Sequence, residues 1–138
     1  MNCYLDSSVI IRKLLDEEKP LKELGKIHLG FSSRLLKLEC LRTIDRLRLK
    51  SKISDEETSL KLSEFYGILL NIGLLPITDL VLEKAEQSLP TPLASLDSIH
   101  LATALLWREK HGNDFKFATH DAQLGLAAKA QGFEVIGV

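Results

Sequence analysis

Cysteine is scarce and unpatterned: the chain carries Cys3 and Cys40, both inside apolar segments, with no CxxC or Cys/His spacing. That excludes a disulfide framework and a thiolate metal site, leaving two buried thiols as the expectation. Proline is nearly as rare, at 4 residues, and its one cluster, Leu89-Pro90-Thr91-Pro92, reads as a connecting loop rather than a linker between domains. Neither sign of charge dominates. With 18 Lys+Arg against 19 Asp+Glu the net charge is −1, which excludes a protein that holds polyanions by bulk charge alone. Long hydrophobic runs are missing too: the longest weakly polar stretch, Tyr66 to Thr78, carries Asn71, Gly73 and Pro76. It falls short of the about 20 apolar residues a bilayer span needs. The opening segment from Met1 to Asp6 has neither the basic nor the apolar region of a signal peptide, so a cytoplasmic location with no membrane partner is expected. No internal repeat or low-complexity tract is present.

What is there is ordinary globular composition, 45% apolar and 27% charged over 138 residues, which excludes disorder and fits a single domain spanning residues 1–138. Short β-type runs stand at Asn2–Leu5, Ile27–Phe31, Leu74–Thr78, Phe115–Thr119 and Phe133–Ile136. Helical stretches alternate with them at Ser8–Leu15, Ser32–Lys50, Asp55–Leu70, Asp79–Gln87, Asp97–Lys110 and Asp121–Gln131, the last stopped by Gly132. Strands alternating with helices predict a parallel sheet covered on both faces, a three-layer α/β/α fold. In such sheets functional groups collect after the carboxyl ends of the strands, beside the point where strand order reverses.

Acids stand at those places. Asp6 follows the first strand and Asp121 the fourth, Asp97 opens a helix of small and apolar residues, and Glu39 lies inside the helix after the second strand. Asp6, Asp97 and Asp121 each have a structural explanation as helix N-caps. Glu39 caps nothing; at a helical advance of about 100° per residue it borders the Leu36, Cys40, Ile44 and Leu47 stripe beside Arg42 and Arg46, and an i,i+3 pair with Arg42 is its structural alternative. If the four meet in one mouth, their mutual repulsion, about 4 kcal/mol for a pair about 4 Å apart at an effective dielectric near 20, calls for a cation. Oxygen ligands without cysteine or paired histidine select Mg²⁺ or Mn²⁺, ions suited to phosphodiester chemistry.

Three segments together carry a family resemblance: Tyr4-Leu5-Asp6-Ser7-Ser8, Leu96-Asp97-Ser98-Ile99-His100-Leu101-Ala102-Thr103-Ala104-Leu105, and Thr119-His120-Asp121. Across essentially its whole length the chain resembles PIN-domain ribonucleases of the VapC type, the toxins of toxin–antitoxin pairs, and the central segment is the most specific. The resemblance implies a five-stranded parallel sheet of order 3-2-1-4-5 and metal-dependent hydrolysis of RNA. It maps the acidic site onto Asp6, Glu39, Asp97 and Asp121, with Asp6, Asp97 and Asp121 ligating Mg²⁺ or Mn²⁺ and Glu39 completing the shell or positioning the water. Ser7 and Thr119 correspond to the hydroxyls that accompany the first and last acids. A cognate antitoxin and a homodimer are implied as partners, beside the RNA substrate.

Residues 34–52 hold seven Lys and Arg against Glu39 and Asp45. They form either a solvated helix face or a patch that tracks phosphates, with Arg42 and Arg46 nearest Glu39. His100 is expected to pack and His120 is unassigned; Phe65, Tyr66 and Trp107 read as core or interface residues. Aspartyl-phosphate phosphatases need a second aspartate where Ser8 stands, and a phospho-receiver domain needs paired acids after the first strand. A catalytically inactive RNA-binding or scaffold module is the remaining alternative.

Overall fold

The computed structural model describes residues 1–89 and 91–138; Pro90, within the expected connecting loop, lies outside the described residues. The strands are β1 (Asn2–Leu5), β2 (Leu29–Ser33), β3 (Ile72–Leu75), β4 (Lys116–Ala118) and β5 (Val135–Ile136). Among them run α1 (Ser7–Leu14), α2 (Leu35–Leu49), α3 (Asp55–Leu69), α4 (Asp79–Ala85), α5 (Ser95–His111) and α6 (Ala122–Ala130). All five strands are parallel, in the order β3-β2-β1-β4-β5, as expected.

Side chains alternate across β1 and build a core on each face. Cys3 and Leu5 pack with Val9, Ile10, Leu36, Cys40, Ile44 and Phe65 of α1, α2 and α3. Tyr4 turns the other way and packs with Phe31, Phe117, Leu101, Ala104 and Leu124, under α5 and α6. Three layers follow from that alternation. Both cysteines are buried and free, and burial pushes each thiol up to about 12, so they behave as small apolar residues. Phe65 is buried, whereas Tyr66 is 48% exposed; Trp107 stacks tilted on Phe31 at 4.4 Å.

Several element boundaries differ from the sequence expectation for identifiable reasons. The β2–β3 ladder pairs Gly30 with Ile72 through Ser33 with Leu75, so β2 continues into Ser32 and Ser33. Pro76 has no N–H to extend the ladder, and the Thr78 side chain is used to cap α4 by accepting from Val81 N. Ser33 Oγ accepts from Leu35 N, which delays α2 to Leu35. Asp97 is not an N-cap: α5 begins at Ser95 after Ala94, which makes no side-chain cap bond, leaving the Asp97 carboxylate uncommitted in the first turn. The acidic start of α3 is a capping box between Ser54 and Glu57, and Gly132, at φ 87, follows the end of α6.

Candidate active site

The pairing of β1 with β4 is what draws the acids together. Asp6 N donates to Ala118 O at 2.9 Å, so Asp6 leaves the sheet beside the end of β4. Its carboxylate does what the capping explanation requires, Oδ2 accepting from Ser8 N at 3.3 Å, but it also accepts from Ser8 Oγ at 2.5 Å and Thr119 Oγ1 at 2.9 Å. The same Thr119 hydroxyl accepts from Asp121 N at 3.0 Å. Asp121 caps α6 through Oδ1, which accepts from Leu124 N at 2.8 Å. Two acids are thus helix caps and also neighbours across a single buried hydroxyl, with one carboxylate oxygen of each left over.

From the other side of the sheet α2 delivers Glu39. The alternative pair with Arg42 does not form, because Arg42 bonds Asp45 at 3.1 Å. Glu39 Oε1 instead accepts from Ser7 Oγ at 2.6 Å and lies 2.6 Å from His100 Nε2. Ser7 therefore serves Glu39 rather than the first acid. His100 is fully buried, as a packing residue would be, yet its ring is polar-bonded: Nδ1 is 2.7 Å from Tyr4 Oη, and Nε2 also stands 3.5 Å from Asp6 Oδ1. Burial disfavours an imidazolium, but the Glu39 hydrogen bond and the charges of Asp6, Glu39 and Asp97 outweigh it and raise the His100 pKa. Burial likewise opposes ionisation of Glu39, and the hydrogen bond and charge of His100 with the Ser7 hydroxyl reverse that, lowering its pKa. The pair leans toward the charged form.

Asp97 responds most strongly. Burial first, then the charges of Asp121, Asp6 and Glu39, push its carboxyl up to about 6, with His100 pulling the other way. The charges of the other three acids named from the sequence therefore all reach Asp97. Among the described residues no group of three or more His, Cys, Asp and Glu side chains is preset to hold a metal ion. The donor chemistry still fits a hard dication: carboxylates only, with Glu39 Oε2, Asp121 Oδ2 and both Asp97 oxygens free of other N–H or O–H donors among the described residues, and Asp6 Oδ1 met only by His100 Nε2 at 3.5 Å.

Arg42 and Arg46 do not join this cluster. Both are exposed on α2, Arg42 on Asp45 and Arg46 donating to Thr43 Oγ1 at 3.3 Å. Sequence reasoning missed Tyr4, Ser8 and the polar role of His100. Only Ser8 left a signal, a hydroxyl two residues after a capping aspartate. His120 contributes its backbone N–H, which donates to Ser8 Oγ at 2.9 Å, while its Nδ1 bonds Gly137 O at 2.8 Å.

A parallel sheet of order 3-2-1-4-5 with acids gathered where β1 meets β4 is the architecture the resemblance implied, and the chain belongs to the PIN-domain family, whose family model matches residues 3–134. It is 31% identical over 137 residues to Ribonuclease VapC46 of Mycobacterium tuberculosis (strain ATCC 25618 / H37Rv), an alignment covering 96% of this chain and 95% of that protein. No helix among the described residues is long and apolar enough to cross a membrane.

Proposed function

We propose that the chain is a metal-dependent endoribonuclease that hydrolyses RNA phosphodiester bonds as the toxin of a toxin–antitoxin pair. The observation that carries the reading is the rise of Asp97 to about 6, by burial first and then under the charges of Asp121, Asp6 and Glu39, three acids from distant parts of the sequence. Family membership and a ribonuclease relative that matches nearly end to end support the reaction class. Asp6, Asp97 and Asp121 would hold Mg²⁺ or Mn²⁺, with Glu39 completing the shell or positioning the attacking water. When bound, such an ion supplies positive charge to the transition state and acidifies a water. The chain's own residues set the geometry: Thr119 and Ser8 fix Asp6, and Ser7 and His100 fix Glu39.

Arg42 and Arg46 are proposed to follow the RNA backbone along α2. Arg46→Ala should then weaken RNA binding across sequences and reduce the salt dependence by about 0.7 in the logarithmic slope, as for one lost single-strand phosphate contact; an unchanged slope removes it from the interface. A cognate antitoxin, a homodimer and a cytoplasmic location belong to the same reading. Co-purification with the antitoxin and the solution mass test the partners. The reading itself is tested by an endonuclease assay on an RNA panel with Mg²⁺, Mn²⁺ or EDTA, run beside Asp97→Asn. Ion-dependent cleavage lost in the variant supports it; cleavage that survives in both EDTA and the variant refutes it.

One observation favours an inactive RNA-binding module instead. His100 already places among the acids a ring whose pKa is raised, and no three ligands are preset among the described residues. RNA binding without cleavage under every ion condition would select this second reading.

A further inference from the structure

We propose that Tyr4 and His100 form a buried pair of positioning residues that aims the Glu39 carboxylate, an inference that rests on the nuclease reading above. Neither side chain was assigned a role by the family pattern, and both are fully buried. The Tyr4 ring is held by the core, stacked on Phe117 at 5.0 Å and edge-on to Phe31 at 5.6 Å. Its hydroxyl is held as well, since Tyr4 Oη accepts from Ser33 N at 3.2 Å. A fixed hydroxyl 2.7 Å from His100 Nδ1 fixes the imidazole in turn.

Proton placement then follows from bonding capacity. In the neutral ring Tyr4 O–H donates to Nδ1 and the ring proton sits on Nε2; in the charged ring both nitrogens carry protons and Tyr4 accepts. Either way Nε2–H donates toward Glu39 Oε1 at 2.6 Å. Ser7 Oγ donates to that same oxygen at 2.6 Å. Two donors on Oε1 pin the carboxylate through one atom and leave Oε2 as the oxygen for a ligand. Both ring nitrogens of this buried histidine are thereby satisfied. The chain of contacts runs from β1 through α5 to α2, so an aromatic core residue sets the direction of an acid on the opposite layer.

The test is a double-mutant cycle with Tyr4→Phe and His100→Asn, each checked by its melting curve. Tyr4→Phe keeps the ring packing and removes only the hydroxyl. His100→Asn leaves a polar partner for Tyr4 but falls short of Glu39. Partners that orient a site's ligands are worth about 10–100-fold in activity or metal affinity. Tyr4→Phe should therefore lower kcat on single-stranded RNA about tenfold with KM within about twofold, and the double variant should be no slower than His100→Asn alone. His100→Gln, whose longer amide reaches Glu39, should recover part of the loss. A readout without RNA accompanies it: the Mn²⁺ concentration giving half of the rise in melting temperature should increase in both single variants. Wild-type kcat and Mn²⁺ response in Tyr4→Phe, or losses that multiply in the double variant, overturn the proposal. Should the unmodified protein cleave no RNA with any ion, the nuclease reading fails, and the Mn²⁺ series still decides the Tyr4–His100 pair.

Discussion

Thr119 donates its buried hydroxyl to Asp6 Oδ2 at 2.9 Å while accepting from the backbone N–H of Asp121 at 3.0 Å, so one side chain joins the first acid to the last. Thr119 itself is 0% exposed, its bond to Asp6 is buried and its bond to Asp121 is half-buried. Losing them leaves the half-buried Asp121 N–H without its acceptor and Asp6 Oδ2 with the Ser8 donors alone, which costs about 1–3 kcal/mol. Thr119→Val should show that loss in urea unfolding together with reduced RNA cleavage, and Thr119→Ser should restore most of both. Equal stability in the valine variant would mean that the hydroxyl does not hold the site together.

Asp121 is both cap and acid, and the two roles separate by substitution. Asparagine caps a helix about as well as aspartate, whereas losing the cap to alanine costs about 0.5–2 kcal/mol. Asp121→Asn should keep the melting temperature and lose activity, while Asp121→Ala should lose both. An active Asp121→Asn protein would leave the residue as a cap only.

The pH dependence of stability in chelator follows from three groups. Asp97 titrates at about 6 in the folded chain against 3.8 ordinarily, so folding favours its protonated form and its effect turns unfavourable as pH rises between those values. His100 is raised above 6.5, so its contribution is full below that value and is lost as pH rises through its folded pKa. Glu39 is lowered below 4.5, so its contribution is present above that value and is lost as pH falls. The EDTA-treated protein should therefore melt higher near about pH 5 than near about pH 8. Asp97→Asn should flatten the acidic part of that curve and, near neutral pH in EDTA, melt no lower than the unmodified protein. A much lower melting temperature for Asp97→Asn would show that the carboxylate stabilises the fold rather than straining it.

Periodicity and punctuation made the alternation of strands and helices legible, and the acids at the ends of β1 and β4 could be named because topology sends strand ends to one mouth. The strand order came from the resemblance, not from spacing. Boundaries were lost where tertiary bonds overrode local preference: Ser32 and Ser33 look like a helix start but complete β2, and Thr78 looks like strand but caps α4. For Glu39 the structural alternative visible in the sequence was its helical neighbour Arg42, whereas its real partners, Ser7 and His100, are 32 and 61 residues away. Tyr4 and His100 gave no signal because a buried aromatic and a buried histidine look like packing until the distance between them is known.

The most direct test of the central claim, that these acids converge and share a dication, is the titration of the Asp97 carboxyl by ¹³C NMR in EDTA and again in Mg²⁺. Burial first, and then the convergence of charge, place its midpoint at about 6 in EDTA. Mg²⁺, by favouring the ionised form, should draw it below 3.8, the ordinary value. An Asp97 that titrates near 3.8 and ignores Mg²⁺ would contradict both halves of the account.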